Sequence, residues 1–319
     1  MTENGSSKRI KFALQTNGVL LDDTFCSFLK QEGWLVGLSI DGRETENDSY
    51  RKNYDGKGSY EAVSAAMERL KRHQVEFNTL TVITKANVQK AKELFNFFLQ
   101  EGSGYMQFIP CYEVIDGKPA PFCCSPEEFG AFMCELFDLW YNNGHIKSYV
   151  RFFEELLMSY VTLAPGGCNQ APKCIAAPVV EHTGDVYPCD FFVESNWYLG
   201  NIADQSLQSM LDSSRYAAFY NSKRDVGTEC ADCKWLCLCN GDCKKNRSTG
   251  EKSYFCEGYK LFFAHSHKAF LKMKQDILSQ NNKEGQYYRQ LNHMISRNDK
   301  CPCGSGNKYK KCCMPIKAI

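Results

Sequence analysis

Residues 230–243 read CADCKWLCLCNGDC and place five of the chain's eighteen cysteines within fourteen residues. The N-terminal stretch MTENGSSKRIKF (1–12) has no apolar run of signal-peptide length, and no later stretch approaches eighteen uncharged apolar residues. We therefore expect a cytoplasmic protein without a membrane partner. Thiols stay reduced in the cytoplasm, where close-spaced cysteines are more often metal ligands than disulfides. The stretch is thus predicted to bind metal.

The surrounding segment, residues 165–257, is rich in Cys, Gly, Asn and Asp, and eight of its nine cysteines are candidate metal ligands. These are Cys168, Cys174, Cys189, Cys230, Cys233, Cys239, Cys243 and Cys256. Eight thiolates make two sets of four, and four cysteines complete either a tetrahedral zinc site or an iron–sulfur cluster. Because all-thiolate ligation serves both metals, spacing alone leaves a two-zinc ribbon open. None of the six histidines lies inside a short cysteine spacing, which favours clusters over a mixed zinc finger.

Upstream, residues 10–142 alternate short β-type runs with amphipathic helical runs. The strand candidates are IKFALQT (10–16), LVGLSID (35–41), EFNTLTVIT (76–84) and YMQFIP (105–110). Ser125, Pro126 and Glu128 form an N-terminal capping signal for a later helix. Buried strands joined by helices predict an α/β fold with a parallel sheet. About four βα units are too few to close a barrel, so we expect an incomplete (β/α) partial TIM barrel with an unpartnered edge strand.

Composition divides the chain into four predicted parts. Residues 1–145 form the partial barrel, 146–280 the cysteine-rich domain, 281–295 a polar linker and 296–319 a compact basic tail. The cysteine-rich domain is predicted to begin with a helix near 147–163 and to end with one near 258–280. Lys and Arg total 38 against 37 Asp and Glu, a formal charge of +1. This balance argues against nucleic acid as a partner.

The tail SRNDKCPCGSGNKYKKCC (296–313) arranges its four cysteines as C-x-C-x8-C-C. They are Cys301, Cys303, Cys312 and Cys313. Glycines at 304 and 306 allow the tight reversal that brings two thiolate pairs together. The stretch resembles the SEC-C motif, and the resemblance implies a bound Zn²⁺ ion. The surrounding basic residues either contact an acidic protein surface or RNA, or form a solvated face: Lys300, Lys308, Lys310, Lys311 and Lys317.

The cysteine spacing C-x5-C-x14-C, then C-x2-C-x5-C-x3-C and a final cysteine, resembles the SPASM domain of radical S-adenosylmethionine (SAM) enzymes. Within that group it is similar to the anaerobic sulfatase-maturating enzymes, over about residues 10–265. The resemblance implies two auxiliary 4Fe–4S clusters. One would be held by Cys168, Cys174, Cys189 and Cys243, and the other by Cys230, Cys233, Cys239 and Cys256. Cys237 falls between these ligands and is predicted to be a bystander.

Further stretches typical of the family are LQTNG (14–18), VGLSIDG (36–42), QFIPC (107–111), VYPCDFF (186–192) and YLGNI (198–202). The resemblance implies that Asp190 acts as a base and that Ser39, Arg51 and Tyr112 approach SAM. It implies oxidation of a Cys or Ser in an unfolded sulfatase polypeptide to formylglycine, with a reductant such as flavodoxin or ferredoxin. The alternative for Asp190 is a solvated loop acid bonded to backbone.

The sequence departs from the family at its SAM-cleaving motif. Radical SAM enzymes carry C-x3-C-x2-C after the first strand and a GGEP-like motif after the second, and this sequence contains neither. We therefore expect a truncated chain that does not cleave SAM alone. Two other hypotheses stay open: a SPASM maturase that modifies a different peptide, and a non-catalytic iron–sulfur electron-transfer or adaptor protein.

Overall fold

The alternation of strands and helices predicted for residues 10–142 is present in the computed structural model, which describes residues 10–174, 177–247 and 252–317 apart from the side chain of His293. The elements in this part of the chain are β1 (Ala13–Thr16), α1 (Asp23–Gln31), β2 (Leu35–Ser39), α2 (Glu44–Tyr50), α3 (Tyr60–Arg72), β3 (Phe77–Ile83), α4 (Ala91–Gln100), β4 (Tyr105–Pro110), β5 (Val114–Ile115), β6 (Lys118–Pro119) and α5 (Pro126–Tyr141).

The later part of the chain is mostly helical, with four short strands. Its elements are β7 (Tyr149–Val150), α6 (Arg151–Thr162), β8 (Val179–Val180), β9 (Asp185–Tyr187), β10 (Gly200–Asn201), α7 (Leu207–Leu211), α8 (Ser214–Ser222), α9 (Thr228–Ala231), α10 (Leu236–Cys239), α11 (Cys256–Ser279), α12 (Lys283–His293) and α13 (Met314–Lys317). No helix among the described residues is long and apolar enough to cross a membrane.

Five strands form one parallel sheet in the order β1-β2-β3-β4-β7. The predicted α/β class with a parallel sheet is therefore confirmed. The fifth strand, β7, was not predicted. Its two residues continue the helical pattern of apolar positions in α6, so the sequence predicts helix there. A two-residue strand is too short to show a period of its own.

Contacts divide the chain into two compact units. The first comprises Met1–Cys111 and Asp138–Arg151, and the second comprises Tyr112–Phe137 and Phe152–Ile319. In the first unit, alternate β2 residues and one face of α3 are buried. The buried α3 side chains recur with the helical period, and they are Val63, Ala66, Met67 and Leu70.

An aromatic core of α5, α6 and α11 organises the second unit. Phe153 stacks on Phe262 with 5.5 Å between ring centroids, and Phe137 lies 5.1 Å from Phe270. A Cβ at Gly130 would meet the Gly258 Cα at 2.7 Å, so these glycines let α5 and α11 approach closely. This packing holds the first turn of α11, which begins at Cys256.

The helix cap predicted at Ser125 is confirmed. The Glu128 backbone N–H donates to the Ser125 hydroxyl at 3.1 Å, and the Ser125 N–H donates to the Glu128 carboxylate at 2.8 Å. These reciprocal bonds satisfy two N–H groups at the start of α5.

The segment 281–295 predicted as a polar linker contains a helix, α12. The Asn282 side chain caps it by accepting from the Gly285 N–H at 2.8 Å. Asn292 on α12 also donates to the Val161 carbonyl at 2.8 Å. Arg289 on α12 donates to the Gln280 carbonyl at 2.8 Å as well. The sequence did not predict this helix because its cap and side-chain hydrogen bonds leave no broad apolar pattern.

Candidate metal centres

Four cysteines that are far apart in the sequence line one cavity of the second unit. Cys230 lies on α9, Cys233 follows α9, Cys239 ends α10 and Cys256 begins α11. The cavity has a volume of about 470 Å³, part of it open to solvent. Cys233 and Cys256 are near enough to Cys239 for their thiolate charges to raise the pKa of its thiol. The structure thus brings together the second predicted set of cluster ligands.

The donor chemistry of this cavity suits a positively charged group. Burial raises the pKa of the Cys239 thiol to about 12, because the thiolate loses solvation there. Burial likewise raises the pKa of Cys230 and Cys256. An iron–sulfur cluster would stabilise the thiolates by direct coordination, and the cavity offers it four sulfur donors.

A second cavity of about 160 Å³ lies beside Cys239 and contains a buried amide without a partner. Gln170 is 2 % exposed, and among the described residues its side-chain nitrogen and oxygen have no hydrogen-bond partner. An unpaired buried amide is costly, since it has lost water without gaining a partner. The sulfide ions of a bound cluster would accept hydrogen bonds from the N–H groups of the Gln170 amide.

The first predicted set of ligands gathers around a buried lysine. The Cys243 thiol interacts electrostatically with Cys168, and the Cys189 thiol with Cys243. Lys223 is 1 % exposed, and its ammonium interacts with three of these cysteines, including Cys174. Burial lowers the pKa of Lys223 because the charged form is desolvated. A buried cation beside several thiols fits a site that carries net negative charge when loaded.

Asp190 lies in an exposed position at the edge of this first set. It begins a single 3₁₀ turn, Asp190–Phe192, immediately after the ligand candidate Cys189. In the thiol form, the Cys189 S–H donates to the Asp190 carboxylate at 3.2 Å. The carboxylate is therefore adjacent to the first cysteine set and open to a solvent-borne substrate.

The four tail cysteines form a compact group that can hold a metal ion. Their sulfurs all lie within 4.8 Å of one another, with 3.5 Å between Cys303 and Cys312 and 3.9 Å between Cys312 and Cys313. A tetrahedral Zn²⁺ with bonds of about 2.3 Å places its sulfurs roughly 3.8 Å apart. The spacing fits a single ion, and it is wider than the ~2 Å of a disulfide bond.

Two of the residues predicted to approach SAM lie in the first unit. Ser39 is half-buried at the end of β2, and Arg51 follows α2. The Arg51 guanidinium donates two hydrogen bonds to the carboxylate of Asp41, at 2.7 and 3.0 Å. Asp41 also accepts from the Val82 N–H at 2.8 Å. Arg51 is therefore held in a fixed orientation by a carboxylate that the sequence reasoning did not single out.

Tyr112, the third such residue, lies in the second unit. It is 3 % exposed and stacks on Tyr254 with 4.6 Å between ring centroids. The Tyr254 hydroxyl donates to the Cys124 carbonyl at 3.2 Å. Tyr112 thus belongs to a rigid aromatic pair, and its ring face is already covered on one side.

Sequence reasoning missed Asp41, Gln170 and Lys223. The position of Asp41 directly after an apolar strand was a usable signal, because polar residues at strand ends of α/β sheets commonly lie at functional sites. Gln170 and Lys223 gave no such signal, since their burial depends on packing between segments distant in the chain.

Family models match three regions of the chain. Residues 173–234 match the SPASM iron–sulfur cluster-binding domain, residues 297–315 the SEC-C motif and residues 2–98 the radical SAM superfamily. The parallel α/β unit and the cysteine-rich unit are thus those of a radical SAM enzyme with a SPASM domain.

Curated relatives narrow this class. The chain is 36% identical over 296 residues to a serine-type anaerobic sulfatase-maturating enzyme of Bacteroides thetaiotaomicron. The match covers 86% of this chain and 72% of the relative. It is 33% identical over 284 residues to a cysteine-type anaerobic sulfatase-maturating enzyme of Clostridium perfringens, covering 86% and 76% of the two chains. The chain therefore belongs to the family of anaerobic sulfatase-maturating enzymes, which are radical SAM oxidoreductases.

Solved structures agree with this assignment. A structure of native anSMEcpe with bound AdoMet and the Cp18Cys peptide superposes with a TM-score of 0.79 at 32% identity, covering 85% of this chain and 78% of the other. Streptococcus suis SuiB bound to S-adenosylmethionine superposes with a TM-score of 0.54 at 15% identity, covering 77% and 58%. The likeness to SuiB concerns the fold alone.

Proposed function

We propose that this chain takes part in the oxidation of a sulfatase active-site Cys or Ser to formylglycine. The observation that carries the proposal is the convergence of Cys230, Cys233, Cys239 and Cys256 on one cavity, in a chain 36% identical to a sulfatase-maturating enzyme. Relatives of both the serine and the cysteine type match, so the proposal covers both substrate side chains.

The eight cysteines of the second unit would hold two auxiliary 4Fe–4S clusters. Cys168, Cys174, Cys189 and Cys243 would hold the first, and the four cavity cysteines the second. When bound, such clusters accept single electrons at potentials set by nearby charges and hydrogen bonds. Lys223 and Gln170 would supply that charge and that hydrogen bond.

Asp190 would act as the base. Loss of a Cβ hydrogen from the substrate Cys or Ser leaves a carbon radical, which makes the attached S–H or O–H far more acidic. A carboxylate is then an adequate acceptor for that proton. The remaining electron has to leave the substrate, and the position of Asp190 beside a cluster-ligand candidate supports this pairing of roles.

Ser39, Arg51 and Tyr112 would contribute to SAM binding. The sequence contains no C-x3-C-x2-C motif, on which SAM cleavage depends in the radical SAM class. We therefore infer that this chain by itself does not release 5′-deoxyadenosine, and that turnover needs the motif to be supplied.

The tail cysteines would bind Zn²⁺. A reductant such as flavodoxin or ferredoxin would supply electrons. The reaction would take place in the cytoplasm.

The test uses the chain after anaerobic reconstitution with iron and sulfide. We expect about eight iron atoms and one zinc per chain, taking four irons for each four-thiolate site. The chain is then fused behind the motif-bearing N-terminal βα units of the Clostridium perfringens relative and incubated with SAM, reductant and peptides containing Cys-x-Pro-x-Arg or Ser-x-Pro-x-Arg. Formylglycine detected by mass spectrometry supports the proposal.

A second candidate function, a non-catalytic electron carrier or adaptor, is favoured by the missing SAM-cleaving motif. It predicts the same iron content but no formylglycine from the fusion. Thioether or crosslinked products would indicate a maturase of another kind, and 5′-deoxyadenosine from the unfused chain would contradict the inferred dependence on the missing motif.

A further inference from the structure

Three consecutive residues between Cys239 and Cys243 have left-handed backbone conformations. The φ angles of Asn240, Gly241 and Asp242 are 45°, 74° and 61°. Apart from glycine, L-residues adopt this region at a cost in free energy, and asparagine and aspartate tolerate it best. The turn joins a ligand candidate of the second cysteine set to one of the first. Its shape therefore sets the positions of Cys239 and Cys243 relative to each other.

One arginine side chain holds this turn. The Arg247 Nε atom donates to the Gly241 carbonyl at 2.7 Å. The Nη2 atom donates to the carbonyls of Asn240 and Asp242 at 3.2 and 3.0 Å. All three carbonyls of the left-handed turn thus accept from a single guanidinium group. A Cβ at Gly241 would lie 2.4 Å from the Arg247 Nη2 atom, so a larger residue would push the guanidinium away.

The remaining N–H groups of Arg247 reach a neighbouring segment. The Nη1 atom donates to the Lys223 carbonyl at 3.1 Å and to the Asp225 carbonyl at 3.2 Å. A guanidinium has five N–H donors, so every donor of Arg247 is used on a backbone carbonyl. The Lys223 ammonium in turn donates to the carbonyls of Cys168 and Asn169. Arg247 thus connects the turn to the loop that carries Cys168.

A further hydrogen bond joins the turn to the same loop directly. The Asn240 side-chain nitrogen donates to the Gln170 carbonyl at 2.6 Å, and Asn240 is 7 % exposed. Gln170 lies two positions after Cys168 and lines the same small cavity as Cys239. The loop of the first cysteine set and the turn that follows Cys239 therefore form one hydrogen-bonded network.

We propose that Arg247 and Asn240 couple the two cluster sites, so that loading of one site favours loading of the other. This inference rests on the proposed function, which assigns a 4Fe–4S cluster to each cysteine set. A bound cluster fixes the positions of its ligands, and the rigid turn transmits that restraint between Cys239 and Cys243. Without the guanidinium, the left-handed residues relax to other conformations, and the two sites load independently. Arg247 is a positioning residue in this scheme.

The experiment supplies the full chain anaerobically with about four iron and four sulfide ions per chain, half of what two clusters need. Native mass spectrometry then counts the iron in each molecule. Independent sites of equal affinity leave about half of the molecules with four irons, whereas coupling of about fivefold reduces that share to about a third. We expect the smaller share in wild type.

Two variants remove the network at different points. Arg247→Lys keeps the charge but loses the planar fork of donors, and Asn240→Gly keeps the left-handed conformation but loses the bond to Gln170. Both variants should raise the four-iron share to about half or more. Arg215→Lys is the matched control, because Arg215 is exposed and donates to the Tyr198 carbonyl, outside the turn.

Total metal content separates coupling from a general structural defect. At excess iron, both variants should still reach about eight irons per chain. Zinc in the tail should stay near one, since the tail has an anchor of its own. The Lys317 ammonium is buried and donates to the Ser159 hydroxyl at 2.7 Å, so Lys317 is not part of an exposed basic face.

Equal four-iron shares in wild type and Arg247→Lys would overturn the coupling. Loss of both clusters from both variants at excess iron would also overturn it, because the network would then be needed for the fold of the unit rather than for communication between sites. A wild-type chain that does not exceed about four irons at excess iron would instead reject the pair of clusters, and with it the proposed function.

Discussion

The Lys223 ammonium donates a hydrogen bond to the backbone carbonyl of Cys168 at 2.6 Å, inside a part of the second unit where Lys223 is almost fully buried. It donates a further bond to the Asn169 carbonyl at 3.0 Å. One lysine thus fixes the loop that carries the first predicted cluster ligand and brings a positive charge to that cysteine set.

Replacing Lys223 by Met should lower the reduction potential of the first cluster. A unit charge about 10 Å away contributes about 1.7 kcal/mol at an effective dielectric constant near 20, or roughly 70 mV for a one-electron couple. Redox titration followed by electron paramagnetic resonance measures the shift. Lys272→Met is the control, because Lys272 is exposed on α11. Equal potentials in the two variants would contradict the predicted role of the charge.

Replacing Cys239 by Ala should remove the second cluster selectively. We expect iron to fall from about eight to about four atoms per chain, since a 4Fe–4S site loses one of its four thiolates. Zinc should stay near one per chain, because the tail ligands are intact. Colorimetric iron and zinc assays on anaerobic samples check both numbers. The control is Cys134→Ala, which alters a cysteine of α5 outside the predicted ligand sets. Eight irons in Cys239→Ala would reject the ligand assignment.

Replacing Asp190 by Asn should abolish most turnover in the motif-bearing fusion while leaving the iron content unchanged. A positioned base typically contributes 10²- to 10⁴-fold to the rate. Formylglycine formation measured against time gives the effect, and Glu194→Gln, an exposed acid four residues later, serves as the comparison. A fall of less than tenfold in Asp190→Asn would favour the solvated loop acid.

Replacing Asp41 by Asn should destabilise the first unit. The change weakens the two charge-assisted hydrogen bonds from Arg51 and alters the acceptor of the Val82 N–H. Hydrogen bonds to charged groups each contribute about 1.5–3 kcal/mol. We expect the free energy of unfolding to fall by about 2 kcal/mol, measured by urea denaturation. Asp55→Asn provides the control, because the Asp55 side chain is about half exposed. Equal urea midpoints for the two variants would argue against a structural role for Asp41.

Stability should rise with pH between about 8 and 10.4 through Lys274. Burial lowers the pKa of this ammonium to about 8, whereas an unfolded lysine titrates near 10.4. In this window the unfolded chain binds a proton that the folded chain does not, so the free energy of unfolding increases with pH. Lys274→Met should lose this slope. Melting temperatures of both chains across the window measure it, and parallel curves would contradict the assignment.

Much of the parallel sheet could be predicted from the sequence because its strands are locally encoded. YMQFIP (105–110) became β4 with the same bounds, and Ser125 with Glu128 predicted the start of α5. Such signals depend on residues within a few positions of one another. The sequence did not predict β7 or α12 because each depends on a distant part of the chain. The strand β7 pairs with β4, and the helix α12 bonds the Val161 carbonyl.

The cysteine spacing by itself determined the number of sulfurs available for metal and showed the resemblance to SPASM domains, since spacing is a property of the chain. Only the tertiary structure decided which groups surround those sulfurs. It buried Lys223 beside the first set and left the Gln170 amide unpaired next to Cys239. These contacts join residues that are tens of positions apart, and no local pattern encodes them. They arise because the packing of α6, α8, α10 and α11 removes particular side chains from water.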